Sequence, residues 1–291
     1  MISFNLYKVP FGHFPDGTLM INNFPDNALK NDNIIVWNYE SEEELIVLMY
    51  TVNHIRNMKR NAEITLFMPY IPNARMDRTK HSSEVFTMKY FANVINSLGF
   101  KEIHVLDPHS DVSVALLDNV SVTSANNYID NTIWQIRNTD KLNTEDIVIY
   151  FPDAGAYKRY KDLEALIEYD KIYGQKVRNW ETGKIEGLKI VDANGTELKD
   201  KVVWPLADKT VIMIDDIISY GGTFHYSAEA ISKLNAKTIY AYASHIEPNS
   251  IWDSEKGIFG KDLQNNVVKH LFTTDSIYNK KSDSFVTVYN F

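Results

Sequence analysis

The chain contains no cysteine, which excludes disulfides, thiolate zinc sites, iron–sulfur clusters and a cysteine nucleophile and fits a cytoplasmic location. Proline (9) and glycine (12) are sparse in 291 residues and stand singly or in short turn clusters, which excludes collagen-like and low-complexity tracts and a long linker. No apolar run approaches the ~18 residues of a membrane span. Met1 to Phe14 is interrupted by Asn5, Lys8 and Pro10, which argues against a signal peptide. Basic charge is the minority: Lys plus Arg number 30 against 38 for Asp plus Glu, a net charge of −8. Nucleic acid and anionic membranes are therefore poor partners, and an anionic substrate must meet local donors or metal ions.

What is present is an ordinary globular composition, 44% hydrophobic and 23% charged, long enough at roughly 150 residues per domain for two compact domains. Strand-like runs alternate with helical patterns: Asn33 to Tyr39, Glu63 to Pro69 and Ile103 to Leu106 as strands, with helices over Glu42 to Lys59 and Glu84 to Leu98. The alternation continues with strands over Asp146 to Phe151, Thr210 to Ile214 and Thr238 to Ala243, and helices over Gly155 to Tyr169 and Gly222 to Leu234. Such alternation predicts βαβ units and largely parallel sheets flanked by helices. The polar stretch from Ile172 to Trp204 breaks the rhythm and reads as a hairpin or a mobile excursion, of a length that is often functional.

The strongest chemical signal is Val211-Ile-Met-Ile-Asp-Asp-Ile-Ile-Ser-Tyr-Gly-Gly-Thr223. Four apolar residues form a buried strand, two adjacent carboxylates follow, and a small-residue turn opens a helix. In open parallel sheets, ligands bind beyond the carboxyl ends of the strands, where Asp215 and Asp216 stand. Adjacent carboxylates repel unless hydroxyls, a cation or solvent stabilise them, and sugar hydroxyls and magnesium both suit them. Glycines in the next turn let backbone N–H groups converge on a phosphate at a helix N-terminus. The plainer reading of the same residues is a solvated acidic turn.

These residues resemble the phosphoribosyl diphosphate loop of type I phosphoribosyltransferases and ribose-phosphate pyrophosphokinases. Further segments, in the family's order, resemble the pyrophosphokinase branch. Phe14-Pro-Asp-Gly17 is similar to the family's Phe-x-Asp-Gly segment, and Pro69-Tyr-Ile-Pro-Asn-Ala-Arg-Met-Asp-Arg78 to its nucleotide loop. Val105-Leu-Asp-Pro-His109 is similar to a stretch whose histidine helps hold the magnesium–nucleotide. Phe151-Pro-Asp-Ala-Gly155 looks like the turn whose acid lies in the metal network, and Lys176-Val-Arg178 like the basic loop that reaches the transferring phosphates.

The resemblance implies two phosphoribosyltransferase-like α/β domains, residues 1–135 on the nucleotide side and 136–291 on the ribose side, with a break near Asn126 to Asn143. The last strand, Ser284 to Tyr289, is a candidate to return to the first domain. It implies ATP and Mg2+, with Phe14, Asp16, Arg75, Asp77, Arg78 and His109 on the nucleotide and His109 and Asp153 in the metal network. Asp215 and Asp216 would hold the ribose hydroxyls, Ser219, Tyr220, Gly221, Gly222 and Thr223 the 5-phosphate, and Lys176 and Arg178 the charge developing in transfer. The implied activity is transfer of the β,γ-diphosphate of Mg-ATP to the anomeric hydroxyl of ribose 5-phosphate, in a homo-oligomer that is dimer-based, with a hexamer left open.

Departures from the family pattern fall mainly on the sugar side. Ser219 and Tyr220 replace an Asp and a Thr of the phosphate loop, and Thr18 and Met76 stand for a Glu and a Gln near the nucleotide. A ring in place of a small hydroxyl raises a second acceptor, a 5-substituted ribose such as ADP-ribose, in nicotinamide-nucleotide metabolism. A phosphoribosyltransferase would not need the Phe14, Arg75 and His109 set, and a noncatalytic regulatory homologue would not need Lys176 and Arg178.

Overall fold

The computed structural model describes residues 1–178, 185–198 and 206–291, and the side chains of 1–175, 188–198 and 206–291. The chain divides into two compact units, Met1–Ser124 and Ala125–Phe291.

The first unit opens with four short strands, β1 (Ile2–Phe4), β2 (Tyr7–Lys8), β3 (Phe11–His13) and β4 (Leu19–Ile21). It continues through β5 (Asp32–Trp37), α1 (Glu43–Met58), β6 (Glu63–Phe67), α2 (Thr87–Ser97), β7 (Glu102–Leu106), α3 (Asp111–Ala115) and β8 (Val120–Thr123). Its sheet runs in the order β2-β1-β5-β6-β7-β8, and β5 to β8 are parallel. The helical repeat expected in α2 is realised: Met88, Phe91, Ala92 and Ile95 are buried on one face against the strands. The strands β3 and β4 form a separate hairpin.

The second unit contains α4 (Asn126–Asp140), β9 (Ile147–Phe151), α5 (Ala154–Tyr160), β10 (Asp170–Arg178), β11 (Ile185–Asp192), β12 (Thr210–Ile218), α6 (Gly222–Lys233), β13 (Thr238–Ile246), α7 (Pro248–Ile251), α8 (Ile258–Gln264), β14 (His270–Thr274) and β15 (Val286–Tyr289). Its sheet has the order β11-β10-β9-β12-β13-β14-β15, parallel from β10 to β15 with β11 antiparallel at one edge. Within the expected excursion β10 pairs antiparallel with β11, and residues 179–184 and 199–204 of it lie outside the described residues.

Three expectations differ from the structure. The division falls after Ser124, ahead of residue 135, because Asn126 to Asp140 is one helix rather than a break. Ile129, Ile133 and Ile136 give it a buried stripe, and its last residue, Asp140, is held by Lys269 Nζ at 2.6 Å and Tyr240 Oη at 2.8 Å. The last strand does not return to the first unit; β15 pairs in parallel with β14. The helix expected from Gly155 to Tyr169 stops at Tyr160, since Leu163 turns extended so that Leu166 can be buried. No helix among the described residues is long and apolar enough to cross a membrane.

Candidate active site

Strand β12 sets the geometry. Successive side chains of a strand point to opposite faces of its sheet. Ile212 and Ile214 pack with Ala156 and Tyr160 of α5, while Val211 and Met213 pack with Phe224 and Ala228 of α6. The strand runs on to Ile218 and carries both acids within it. The alternation therefore sends Asp216 to the α5 face and Asp215 to the α6 face. On the α5 face, Arg159 Nη1 lies 2.9 Å from Asp216 Oδ1, and Asp216 is only 3% exposed. The Asp216 N–H donates to Asp215 Oδ1 at 2.9 Å. Burial, followed by the charge of Asp216 and a hydrogen bond to it, holds the Asp215 carboxyl well above the usual carboxylate range.

After β12 the chain passes through Ser219 and Tyr220 to Gly221, the N-cap of α6, in the left-handed region at φ 80°. A Cβ there would also lie 2.2 Å from Phe259 Cβ, so both conformation and space require glycine. Thr223 is exposed in the first turn. The Glu247 N–H donates to the Ile218 carbonyl at 3.0 Å, strapping the segment after β13 onto this loop. Ser219 Oγ donates to Glu247 Oε2 at 2.6 Å, and Ser250 Oγ donates to the same oxygen at 3.1 Å. Tyr220 is 43% exposed, with Lys256 Nζ 5.7 Å from its ring centre.

Asp153 is the N-cap of α5, its Oδ1 accepting from the N–H groups of Gly155 (2.9 Å) and Ala156 (3.1 Å). Lys176 and Arg178 lie on β10, opposite Leu188 and Ile185 of β11 with a register shift between Val177 and Arg178. Their side chains lie outside the described residues. At the root of this hairpin a Cβ on Gly174 would come within 2.5 Å of Tyr150 Oη and 2.6 Å of the Pro152 carbonyl oxygen, so the strand passes close to the turn that bears Asp153.

In the first unit, the loops that carry Arg75 and His109 leave the carboxyl ends of the neighbouring parallel strands β6 and β7. Buried Tyr70, Ile71 and Ala74 anchor the first loop, which presents Arg75 and Arg78 to solvent. Asp77 is buried, with Arg78 Nε 3.1 Å from its Oδ1. His109 is half-buried, two residues beyond Asp107 at φ 39°. Phe14 and Asp16 lie on the turn joining β3 and β4. Phe14 is 51% exposed. Asp16 accepts from the Thr18 N–H (3.0 Å) and hydroxyl (2.7 Å), which hold its carboxyl below the ordinary range. Thr18 thus closes the turn.

No group of three or more His, Asp or Glu side chains among the described residues forms a metal cage. Magnesium is commonly bound by one or two carboxylates plus substrate phosphates. Asp153 offers the hard oxygen such an ion needs. Three residues of the site had escaped sequence reasoning: Arg159, Glu247 and Lys256. The alternation of Ile212, Ile214 and Asp216 carried a signal for the first, because it assigns Asp216 to the face that α5 covers.

The phosphoribosylpyrophosphate synthetase from Mycobacterium smegmatis has a similar fold, with a TM-score of 0.74 at 18% identity, over 97% of this chain and 86% of that one. The fold is α/β, with two largely parallel sheets flanked by helices. Residues 1–99 match the family model of the N-terminal domain of ribose phosphate pyrophosphokinase. The ribose-phosphate pyrophosphokinase of Saccharolobus solfataricus is 28% identical over 84% of this chain and 79% of its own. That of Sulfurisphaera tokodaii is 26% identical over 95% and 87%. Over most of its length the chain is similar to ribose-phosphate pyrophosphokinases.

Proposed function

We propose that the protein transfers the β,γ-diphosphate of Mg-ATP to the anomeric hydroxyl of ribose 5-phosphate. The sugar oxygen bonds to the β-phosphorus, the α,β-bridging P–O bond breaks, AMP leaves, and the hydroxyl proton passes to solvent. The observation that carries the reading is the acid pair on β12 followed by the glycine-capped start of α6, which suits a vicinal diol next to a phosphate. In this reading Asp215 and Asp216 orient the diol, the loop from Ser219 to Thr223 faces the 5-side, and Arg75, Asp77, Arg78 and His109 serve the nucleotide with Phe14 and Asp16. Lys176 and Arg178 meet the charge that develops at phosphorus, where such transfers depend chiefly on positioning and electrostatics. Asp153 would help hold magnesium with the ATP phosphates, and the ion would supply charge neutralisation. The protein acts as a homo-oligomer.

A second acceptor is favoured by a specific arrangement. The Ser219 hydroxyl is engaged by a carboxylate, Glu247, and Tyr220 presents an exposed ring beside Lys256. That surroundings suits a ribose whose 5-phosphate continues into a further phosphate and an aromatic base, as in ADP-ribose. Incubation with Mg-ATP and either sugar, with products identified by mass spectrometry, separates the readings. A diphosphate added to ribose 5-phosphate supports the first, addition to ADP-ribose alone supports the second, and no AMP release with either points to a regulatory homologue.

A further inference from the structure

We propose that Arg159 is a positioning residue for the acceptor sugar, acting through its ion pair with Asp216; the proposal rests on the reading of Asp215 and Asp216 as the diol-binding acids. The geometry assigns this role. Two carboxylates adjacent in sequence repel, and burying them makes the repulsion stronger. Arg159 comes from α5, which packs on the face to which β12 turns Asp216, and its Nη1 stands 2.9 Å from that carboxylate. The guanidinium keeps the negative charge on Asp216. Asp215 Oδ1 accepts from the Asp216 N–H at 2.9 Å, and burial pushes its carboxyl upward. The pair so arranged presents a diol with two fixed carboxyl groups, one of them anchored by the guanidinium.

Stability alone is a poor explanation for such a contact. A buried ion pair is weak support for a fold, since apolar residues of the same volume often serve as well or better. The position of Arg159 is informative in a second way. Its helix begins at Asp153, whose side chain caps the first turn, and Arg159 stands near the other end of the same seven-residue helix. One rigid element thus fixes the placement of the candidate metal-side acid and of the acceptor-side acid.

The test compares Arg159→Met, Arg159→Lys, Asp216→Asn and the double variant Arg159→Met/Asp216→Asn with the unaltered protein. Calorimetric titration with ribose 5-phosphate, with ADP-ribose and separately with Mg-ATP requires no turnover, and thermal melts verify folding. R159M is expected to weaken binding of the accepted sugar by roughly tenfold or more and to leave Mg-ATP affinity within about twofold. R159K keeps the charge and is expected to recover most of the loss, and the double variant is expected to bind the sugar no more weakly than D216N. Unchanged sugar affinity in R159M, equal losses for sugar and nucleotide, or additive losses in the double variant would each overturn the positioning role while the functional reading stands. If the unaltered protein binds neither sugar, the functional reading itself fails and the positioning role with it.

Discussion

The two units present their candidate residues in opposite ways. In the second, Asp216 is 3% exposed and paired, Asp153 caps a helix, and Gly221 is pressed on Phe259. In the first, Phe14 is 51% exposed, Arg75 and Arg78 extend from a loop into solvent, and Asp16 closes an exposed turn. The difference teaches where binding is preorganised. On the proposed reading, the acid pair needs little reordering to meet a sugar, whereas exposed Phe14 must be ordered when a nucleotide arrives. On that reading, specificity for the acceptor is built into the strand ends, and that for the nucleotide is completed by the ligand.

The largest effect expected from this contrast is at Asp215. Asp215→Asn should lower acceptor-dependent AMP release by about 10³-fold, the scale on which preorganised polar groups contribute, measured by steady-state kinetics. A loss confined to a few-fold would mean that the acids of β12 are not where the sugar is held. Next is Gly221→Ala, which meets both an unfavourable φ and Phe259; it should destabilise the fold by about 2–4 kcal/mol in urea unfolding. Arg75→Ala should raise the apparent KM for ATP about tenfold, with Tm within about 1 °C of the parent, as for an exposed residue. A large fall in Tm would show that the first unit is as preorganised as the second.

The smallest effect concerns pH. The folded chain binds the Asp215 proton more tightly than the unfolded chain does, so ligand-free stability falls as pH rises from the ordinary value of 3.8 through the raised one. Asp215→Asn removes that dependence. The inactive variant should melt about 2–4 °C above the parent near pH 7, with the gap closing toward about pH 4; scanning calorimetry across this range measures it.

Much of this architecture is written in local sequence. The apolar run of β12, the acids after it and the glycines of the turn place the acceptor side without any long-range information, and the stripe of α2 places its buried face. What escaped did so for physical reasons. Helix α4 is polar apart from its isoleucine stripe, so Asn126 to Asn143 reads as a break until the helix is seen against its sheet. The very short strands at the N-terminus have too few residues for a period to show. Arg159, Glu247 and Lys256 act across the fold: Arg159 reaches β12 from a different helix, and Glu247 meets Ser219 from 28 residues away. Nothing in their immediate neighbours announces such a role.

The strap from Glu247 to Phe259 has a consequence for how this protein can change. It touches Ser219, Tyr220 and Gly221, the 5-side of the proposed sugar site, whereas the diol side depends on Asp215, Asp216 and a helix from earlier in the chain. The two ends of one substrate are thus read by separate stretches of sequence. Substitution along the strap can retune which 5-substituent is accepted while the acids that face the reacting ring stay as they are, so that new acceptors are within reach of a few changes in a single segment.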